Sequence, residues 1–407
     1  MTEHSCRLCR GVVREVLDLG SQPVSNAFAW PEDAAEVPFF RLAIGLCGSC
    51  TMVQQLDEVP PDQMFHAEYP YRASGSSLIR KHAQEVARQI MRTCLDGKDD
   101  FVVEIGSNDG VMLKTLSEAG VRHLGVDPAA SAADVARTQG VNVLKEFFNE
   151  STATDIRRKH GAARVIYSAN AISHISYLDS IFLGVDNLLA SDGLFVFEDR
   201  YLGDIVSCVY FDQIYDEHIY LFSVRSVQAL AAQFGFELID VEHLPLHGGS
   251  IRYTVARPGN SKPSAAVAEF LAREEAEGLA DEATFDEFAA AVDRVRTDLV
   301  TLLRDIRSDG RRVVGYGATS RSATVMNYCG IGPELLPMVC DSTPEKQGRL
   351  TPGTKIPVCP PEWFSAPYPD YALLFAWNHA EEIMAKERQF HENGGRWILY
   401  APKVHLV

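Results

Sequence analysis

The sequence of 407 residues has no surplus of positive charge and no long hydrophobic run. Its 38 lysines and arginines face 55 aspartates and glutamates, which gives a formal net charge of −17. A field of this sign repels nucleic acids and anionic membranes, so a phosphate-bearing ligand would need a local positive site. No apolar stretch is long enough to cross a bilayer, and residues 1–10 lack the apolar segment of a signal peptide. We therefore expect a cytoplasmic protein without a membrane or nucleic-acid partner.

Cysteines are too sparse for a secreted disulfide scaffold, since there are nine in the whole chain and five of them are isolated. The other four form two pairs, Cys6-x-x-Cys9 and Cys47-x-x-Cys50. One turn of this spacing can present two thiolates to an ion, and two such turns complete a tetrahedron. Thiolates favour zinc over hard cations. The sequence therefore predicts a structural zinc site with these four cysteines as ligands.

Heptads and short repeats are also absent, and from about residue 100 strand and helix patterns alternate instead. Short apolar runs predict buried parallel strands at Phe101–Ile105, Leu124–Asp127, Val165–Tyr167 and Leu194–Phe197. Helical spacing covers Val111–Glu118 and Leu178–Leu189, and Ser223 has the position of a helix N-cap. Two alternating strands, Phe236–Val241 and Ser250–Ala256, then complete the order of a class I methyltransferase domain, a Rossmann-like α/β fold.

The last third of the sequence shows a second α/β pattern after a Pro/Gly/Ser linker at 258–263. Helical segments are predicted at Ala265–Glu277 and Asp281–Asp309, and strands at Arg312–Tyr316, Leu336–Cys340, Tyr371–Ala376 and Trp397–Tyr400. We therefore predict three parts. They are a turn-rich zinc-binding module at 1–75, the methyltransferase domain at 76–257, and a smaller Rossmann-like α/β domain at 258–407.

The loop after the first predicted strand, Glu104–Gly110, has the features of a cofactor site. Glycine allows the backbone to turn closely under a ligand, and amides at a helix N-terminus can bind a carboxylate, here that of methionine. Asp127 ends the second strand, where an acid can accept hydrogen bonds from ribose hydroxyls. The pattern predicts S-adenosylmethionine (SAM) as cofactor. The binding residues we expect are Glu104, Gly106, Asn108, Asp109, Gly110, Asp127, Pro128 and Asn170.

Residues with acid–base chemistry follow the carboxyl ends of the later strands. His174 lies just past the third strand named above, where it could instead be a structural histidine under a loop. Tyr215-Asp-Glu-His218 lies in an insertion, and a carboxylate there can orient a histidine and raise its basicity. The segment 68–72 could form a lid over the cofactor or an aromatic packing loop.

An anion site is predicted in the C-terminal domain. Gly315–Arg321 occupies a strand-to-helix turn that offers glycines, hydroxyls and an arginine, although a plain turn would look the same. Lys346 and Asn378 follow neighbouring strands. Together these residues favour a phosphate-bearing substrate.

With these motifs in hand, the full chain resembles the sugar C-methyltransferases of antibiotic biosynthesis. These zinc-containing, SAM-dependent enzymes methylate a carbon of a dTDP-linked 4-keto deoxysugar. The resemblance is carried by the four-cysteine domain and by Glu104–Gly110, Ser168–His174, Tyr215–His218, His247–Ser250, Gly315–Arg321, Pro344–Gly348 and Ala376–Asn378.

The resemblance implies that a base removes the proton next to the ketone and that the resulting enolate takes the methyl group of SAM. It implies His218 as the base and Glu217 as its orienting group. Tyr215, His174 and Tyr69 would position the sugar or stabilise the enolate oxygen. The nucleotide and diphosphate would lie between the central and C-terminal domains, against Gly317, Ser320, Arg321, Lys346 and Asn378. Tyr71 and His247 are the other substrate-binding residues that we expect.

Two alternatives remain open at this point. Methylation at C-3 of the sugar is favoured, but C-5 also flanks a 4-keto group. A zinc-containing RNA methyltransferase is disfavoured by the net charge of −17. The oligomeric state stays open, with a monomer favoured.

Overall fold

The structure is a computed structural model that describes residues 4–33, 37–60, 64 and 72–407. Its strands, numbered in chain order, are β1 (His4–Ser5), β2 (Val12–Pro23), β3 (Phe39–Cys47), β4 (Val53–Gln55), β5 (Phe101–Ile105), β6 (Arg122–Val126), β7 (Val143–Leu144), β8 (Ala163–Ala169), β9 (Leu189–Arg200), β10 (Tyr220–Leu221), β11 (Glu237–Leu244), β12 (Ser250–Ala256), β13 (Val313–Tyr316), β14 (Val339–Cys340), β15 (Val358–Cys359), β16 (Tyr371–Leu374), β17 (Arg396–Leu399) and β18 (His405–Leu406).

The helices are numbered in the same way. They are α1 (Ser77–Thr93), α2 (Val111–Glu118), α3 (Ala130–Thr138), α4 (Glu150–His160), α5 (Leu178–Leu188), α6 (Leu202–Ser207), α7 (Val224–Gln233), α8 (Ala265–Ala276), α9 (Glu282–Ser308), α10 (Ser320–Cys329), α11 (Ala380–Lys386) and α12 (Arg388–Glu392). In the part of the chain that the structure describes, none of them combines the length and apolar character that crossing a membrane requires.

The central domain contains the predicted Rossmann-like sheet, in the order β11-β12-β9-β8-β5-β6-β7. Its middle strands are parallel, and β12 pairs antiparallel with both β9 and β11. Ser223 caps α7 as expected, because its side chain accepts from the amide of Ser226 while the Ser226 hydroxyl accepts from the amide of Ser223. The carboxyl ends of β5, β6, β8 and β9 therefore meet at one edge, where a ligand can bind.

The N-terminal module differs from the turn-rich segment expected from the sequence. It is an antiparallel sheet in the order β1-β2-β3-β4-β10. Its last strand, β10, comes from the insertion of the central domain and places Tyr220 opposite Gln54. Register shifts along β2 and a left-handed Gly20 interrupt the alternation that would have revealed this long strand.

The C-terminal domain has the predicted second parallel sheet, in the order β15-β14-β13-β16-β17-β18. Only β18 runs antiparallel to its neighbour. The long helix α9 buries one face, which includes Phe285, Val292 and Leu299, in a core shared with Leu17 and Leu19 of the N-terminal sheet. The first and last parts of the chain are thereby packed together around the central domain.

Candidate active site

A cavity of about 390 Å³ lies between the central and C-terminal domains, at the carboxyl ends of the central parallel strands. Its walls combine the loop after β5, the ends of β8 and β9, the insertion before β10 and the start of α10. Residues from all of the predicted sites except the zinc site thus share one space.

The loop after β5 has the backbone geometry expected of a cofactor site. Gly106 has a φ of +70°, and a Cβ placed there would lie 2.6 Å from the Cβ of Ala171, so glycine is required. Asp127 holds the loop in place, because its carboxylate accepts from the amides of Asn108 at 2.7 Å and Ala129 at 2.8 Å. The first of these bonds ties the loop after β5 to the residue that follows β6.

The charge at this end of the cavity favours a cationic ligand. Glu104 is buried, and its Oε2 has no hydrogen-bond partner among the residues that the structure describes. Burial, followed by the nearby carboxylates of Asp127, Asp109 and Glu198, holds the pKa of Glu104 well above its ordinary value. A ligand with ammonium and sulfonium charges would relieve this repulsion, so the site fits SAM.

Six of the eight predicted cofactor residues line the cavity; they are Glu104, Gly106, Asn108, Asp127, Pro128 and Asn170. Asp109 is buried beside it and accepts from the amide of Ser74. Gly110 begins α2, where a Cβ would lie 2.9 Å from the Cβ of Ala136. Sequence reasoning missed Phe147 and Phe148, which follow β7, line the same cavity and can face the adenine. The sequence signal that could have identified them is the pair of adjacent phenylalanines shortly after β7.

Tyr215–His218 forms a tight turn that brings the rings of its first and last residues into tilted contact. The His218 amide donates to the Tyr215 carbonyl at 2.9 Å, and the two ring centroids lie 4.1 Å apart. Tyr215, Glu217 and His174 line the cavity, whereas His218 lies behind them and is 1% exposed. The rings of His174 and His218 are 5.1 Å apart. The turn therefore gathers the predicted acid–base residues into one cluster.

His218 is oriented by Gln213 rather than by Glu217, which the resemblance implied. Its Nδ1 lies 2.5 Å from the Gln213 carbonyl and must donate to it, which leaves a lone pair on Nε2. Among the described residues, Nε2 has no hydrogen-bond partner. Glu217 faces His174 instead, with 4.0 Å between Oε2 and Nδ1, because neighbouring side chains in the turn diverge.

Both imidazoles of this cluster are uncharged at neutral pH. Burial, then the positive charge of Arg200, lowers the pKa of His174 to about 3 and holds that of His218 well below its ordinary value. Burial raises the pKa of the Tyr215 phenol, which therefore keeps its proton. The cluster offers lone pairs and a phenolic donor in the same place, as general base and oxyanion chemistry require.

The N-terminal module holds this turn from behind, which sequence reasoning missed. The side-chain amide of Gln55 donates to the carbonyls of Tyr215 at 2.6 Å and His218 at 2.9 Å. Asn26 donates to Glu217 Oε1 at 2.7 Å and accepts from the Ser320 hydroxyl at 2.9 Å. No local pattern marks Gln55 or Asn26, since their partners lie far away in the sequence.

Most of the predicted substrate residues also reach the cavity, namely His247, Ser320, Arg321, Lys346 and Asn378. Arg321 is buried, and its Nη1 has no hydrogen-bond partner among the described residues. Gly317 does not line the cavity; a Cβ there would lie 3.0 Å from that of Ala376. Tyr69 and Tyr71 lie outside the described residues.

The expected anion cradle at the start of α10 is only partly available. The amide of Ala318 already donates to Asp341 at 2.6 Å, and that of Thr319 donates to the Gly317 carbonyl. An anion would therefore depend on the side chains of Arg321 and Lys346. The guanidinium of Arg321 packs over the indole ring of Trp377. The indole N–H donates to Asp212 of the central domain at 2.7 Å, so a contact between the two domains supports Arg321.

The four predicted zinc ligands converge in the N-terminal module. The sulfurs of Cys6 and Cys50 lie 3.6 Å apart, those of Cys9 and Cys47 lie 3.4 Å apart, and all four lie within 4.8 Å of one another. Tetrahedral zinc with Zn–S bonds of about 2.3 Å separates its sulfurs by about 3.8 Å. The cluster fits a zinc ion that four thiolates enclose.

Comparison with known proteins covers almost the whole chain. Three family models match successive parts: "Putative zinc binding domain" at residues 6–65, "Methyltransferase domain" at 79–241 and "C-methyltransferase C-terminal domain" at 245–402. The C-methyltransferase NovU of Streptomyces niveus is 35% identical over 405 residues, which is 99% of this chain and 96% of NovU. The chain belongs to this C-methyltransferase family. It is a SAM-dependent C-methyltransferase with a zinc site.

Solved structures resemble parts of this C-methyltransferase at lower similarity. A SAM-dependent methyltransferase from Anabaena variabilis is 17% identical with a TM-score of 0.34, over 43% of this chain and 84% of that one. Magnesium protoporphyrin IX methyltransferase from Synechocystis, with bound SAM, is 10% identical with a TM-score of 0.32, over 44% and 79%. Both similarities cover less than half of the C-methyltransferase chain.

Replacing Asp127 with alanine is expected to weaken SAM binding by about 10- to 100-fold, because hydrogen bonds to a charged group contribute roughly 1.5–3 kcal/mol. The change removes the acceptor that we expect for the ribose hydroxyls and the hydrogen bonds to the amides of Asn108 and Ala129. Titration calorimetry with SAM measures the effect, and Asp155→Ala on the exposed side of α4 is the matched control. Unchanged affinity of Asp127→Ala would exclude this role.

Proposed function

We propose that this C-methyltransferase methylates the carbon next to the ketone of a dTDP-linked 4-keto deoxysugar, at C-3. The observation that carries the proposal is the shared cavity. It sets the acidic cofactor loop, the uncharged imidazole of His174 and the cations Arg321 and Lys346 against one another, and the uncharged imidazole of His218 lies directly behind that wall. Bound SAM supplies a methyl group on a sulfonium sulfur, to which an enolate carbon of the acceptor can bond.

The residues around Tyr215 would generate that enolate. A ketone acidifies the neighbouring carbon, and we assign its proton to Nε2 of His218, whose lone pair is fixed by the bond from Nδ1 to Gln213. His174 lines the cavity and is close to both Glu217 and His218. We therefore propose that its imidazole positions the sugar or stabilises the enolate oxygen. The Tyr215 phenol would donate to the enolate oxygen, a contact worth about 3 kcal/mol in the transition state.

The C-terminal domain would hold the nucleotide and diphosphate. Arg321 is buried with Nη1 3.8 Å from Asp212, and the ammonium of Lys346 bonds the Ala318 carbonyl at 2.7 Å. Two such cations can bind a diphosphate despite the net charge of −17. Ser320, Asn378 and His247 supply polar groups beside them, and Tyr69 and Tyr71 remain part of the proposal as sugar contacts.

Transfer of a radiolabelled methyl group from SAM to a panel of dTDP-4-keto deoxysugars tests this function. Label is expected in at least one keto sugar and not in the same nucleotide sugar after borohydride reduction of the ketone. The reduced sugar is the matched control because it keeps every phosphate contact. Equal labelling of both forms, or labelling of structured RNA instead, would contradict the proposal. Methylation at C-5 is the alternative that the same chemistry allows.

A further inference from the structure

Arg200 is a cation that lines the cavity and has no role assigned in the proposed reaction. It is the last residue of β9, is half-buried and lines the cavity. Its Nε donates to Gln213 Oε1 at 2.9 Å, and its Nη1 lies 3.5 Å from Asn170 Oδ1. Both partners are uncharged amides, and no carboxylate oxygen among the described residues lies within 4.0 Å of the guanidinium.

The neighbouring arginines in the same region are paired with carboxylates. Arg252 lies 2.8 Å from Glu198 and 2.6 Å from Glu242, and Arg321 lies 3.8 Å from Asp212. Asp199 is near enough for the charge of Arg200 to oppose the rise in its pKa that burial causes, but no carboxylate among the described residues contacts the guanidinium. A partly buried cation without such a contact is costly, and a ligand that brings negative charge reduces that cost. Arg200 is therefore better explained by a bound or developing anion than by packing.

The two amide partners place Arg200 between the halves of the reaction. Asn170 follows β8 on the cofactor side of the cavity. Gln213 accepts from Arg200 with its side chain, while its backbone carbonyl fixes the tautomer of His218. The positive charge also depresses the pKa of both His174 and His218. Arg200 thus faces the space in which the acidic proton would leave and the methyl group would arrive.

We propose that the Arg200 guanidinium binds the ketone oxygen of the acceptor and the enolate that forms from it. This assignment rests on the proposed function. When the C–H proton moves to an imidazole nitrogen, the C–H electron pair forms the enolate and negative charge develops on oxygen beside Arg200. When the carbon bonds to the methyl group, the pair becomes the new C–C bond and the ketone re-forms, while the S–CH3 bond of SAM breaks and its electron pair stays on sulfur to give SAH. Arg321 and Lys346 belong to the diphosphate end.

Exchange of the acidic proton separates this role from the others. The keto sugar that the wild-type enzyme methylates is incubated in D2O with S-adenosylhomocysteine (SAH), and loss of the proton next to the ketone is followed by NMR. Arg200→Gln is expected to slow exchange and methyl transfer by about 10²-fold or more, as loss of an oxyanion donor does. Affinities for SAH and for TDP should stay within about threefold. Arg200→Lys should retain part of the rate, and added methylguanidine should partly restore Arg200→Gln.

The controls distinguish failure of the Arg200 assignment from failure of the proposed function. Arg88→Gln makes the same change on the exposed surface of α1 and should leave exchange unchanged. Wild-type exchange by Arg200→Gln would overturn the assignment, as would a loss of TDP affinity that equals the loss of rate, which marks a phosphate contact. If the wild-type enzyme neither exchanges nor methylates any keto sugar, the proposed function is wrong and this assignment falls with it.

Discussion

Removal of zinc from the N-terminal module is expected to lower methyl transfer by more than about 100-fold, although no zinc ligand lines the active-site cavity. Metal binding in small zinc modules contributes roughly 10–16 kcal/mol to folding, so the apo module should lose its sheet. Strand β4 follows Cys50 directly and carries Gln55, which holds the Tyr215–His218 turn by three backbone carbonyls. Strand β10 pairs with β4 and follows the same turn.

The measurement compares untreated and chelated protein for bound metal, methyl transfer and SAH affinity. SAH affinity should change little, because the cofactor loop belongs to the central sheet. Gln55→Leu should reproduce much of the loss of turnover while zinc stays bound, which links the effect to the turn. Cys94→Ser is the matched control, since Cys94 is half-buried and lies outside the four-cysteine cluster. Full turnover by metal-free protein would refute this support role.

His218→Asn is expected to reduce turnover by about 10³-fold with SAH affinity unchanged, since a general base contributes about 10²–10⁴-fold. Asparagine can still donate to the Gln213 carbonyl and so preserve the turn, but it offers no basic nitrogen. His174→Asn, the matched variant, should lose less if His174 only positions the acceptor. If His218→Asn keeps near-wild-type turnover and His174→Asn loses most of its turnover, the general base is His174 and not His218.

The pH dependence of the wild-type enzyme gives a further check on the same residues. A base works above its pKa and loses activity as the pH falls through it. Because the pKa values of His174 and His218 are lowered from 6.5, the acidic loss of turnover should lie below pH 6.5. A midpoint at or above that value would show that a different, solvated histidine limits the reaction.

The strands and caps of the central domain could be predicted because their signals are local. Phe101–Ile105 is a nearly continuous apolar run, and Ser223 is followed by apolar residues at helical spacing. The local sequence is therefore enough to predict each of these elements. The predicted strand at Leu336–Cys340 was too long, since only Val339 and Cys340 pair with neighbours. The sheet of the N-terminal module was missed because β10 contributes two residues from another part of the chain.

The same distinction holds in the active site. The cofactor loop and the Tyr215–His218 turn carry motifs, so most of the residues that the sequence predicted for the active site line the cavity. Gln55, Asn26 and Arg200 carry none, because the role of each depends on partners outside its local sequence or, for Arg200, on the lack of a contacting carboxylate among the described residues. The family resemblance implied that Glu217 orients His218, whereas the turn directs Glu217 to His174. Contacts of this kind depend on tertiary packing.

The atom to which the transferred methyl group is bonded shows whether the enzyme methylates the carbon next to the ketone. The enzyme is incubated with SAM carrying a ¹³C-labelled methyl group and a dTDP-4-keto deoxysugar, and the product is analysed by two-dimensional NMR. We expect a C–CH3 group whose protons correlate with the ketone carbon, which places the new bond at the adjacent carbon. A methyl group bonded to oxygen, or to a carbon remote from the ketone, would contradict it.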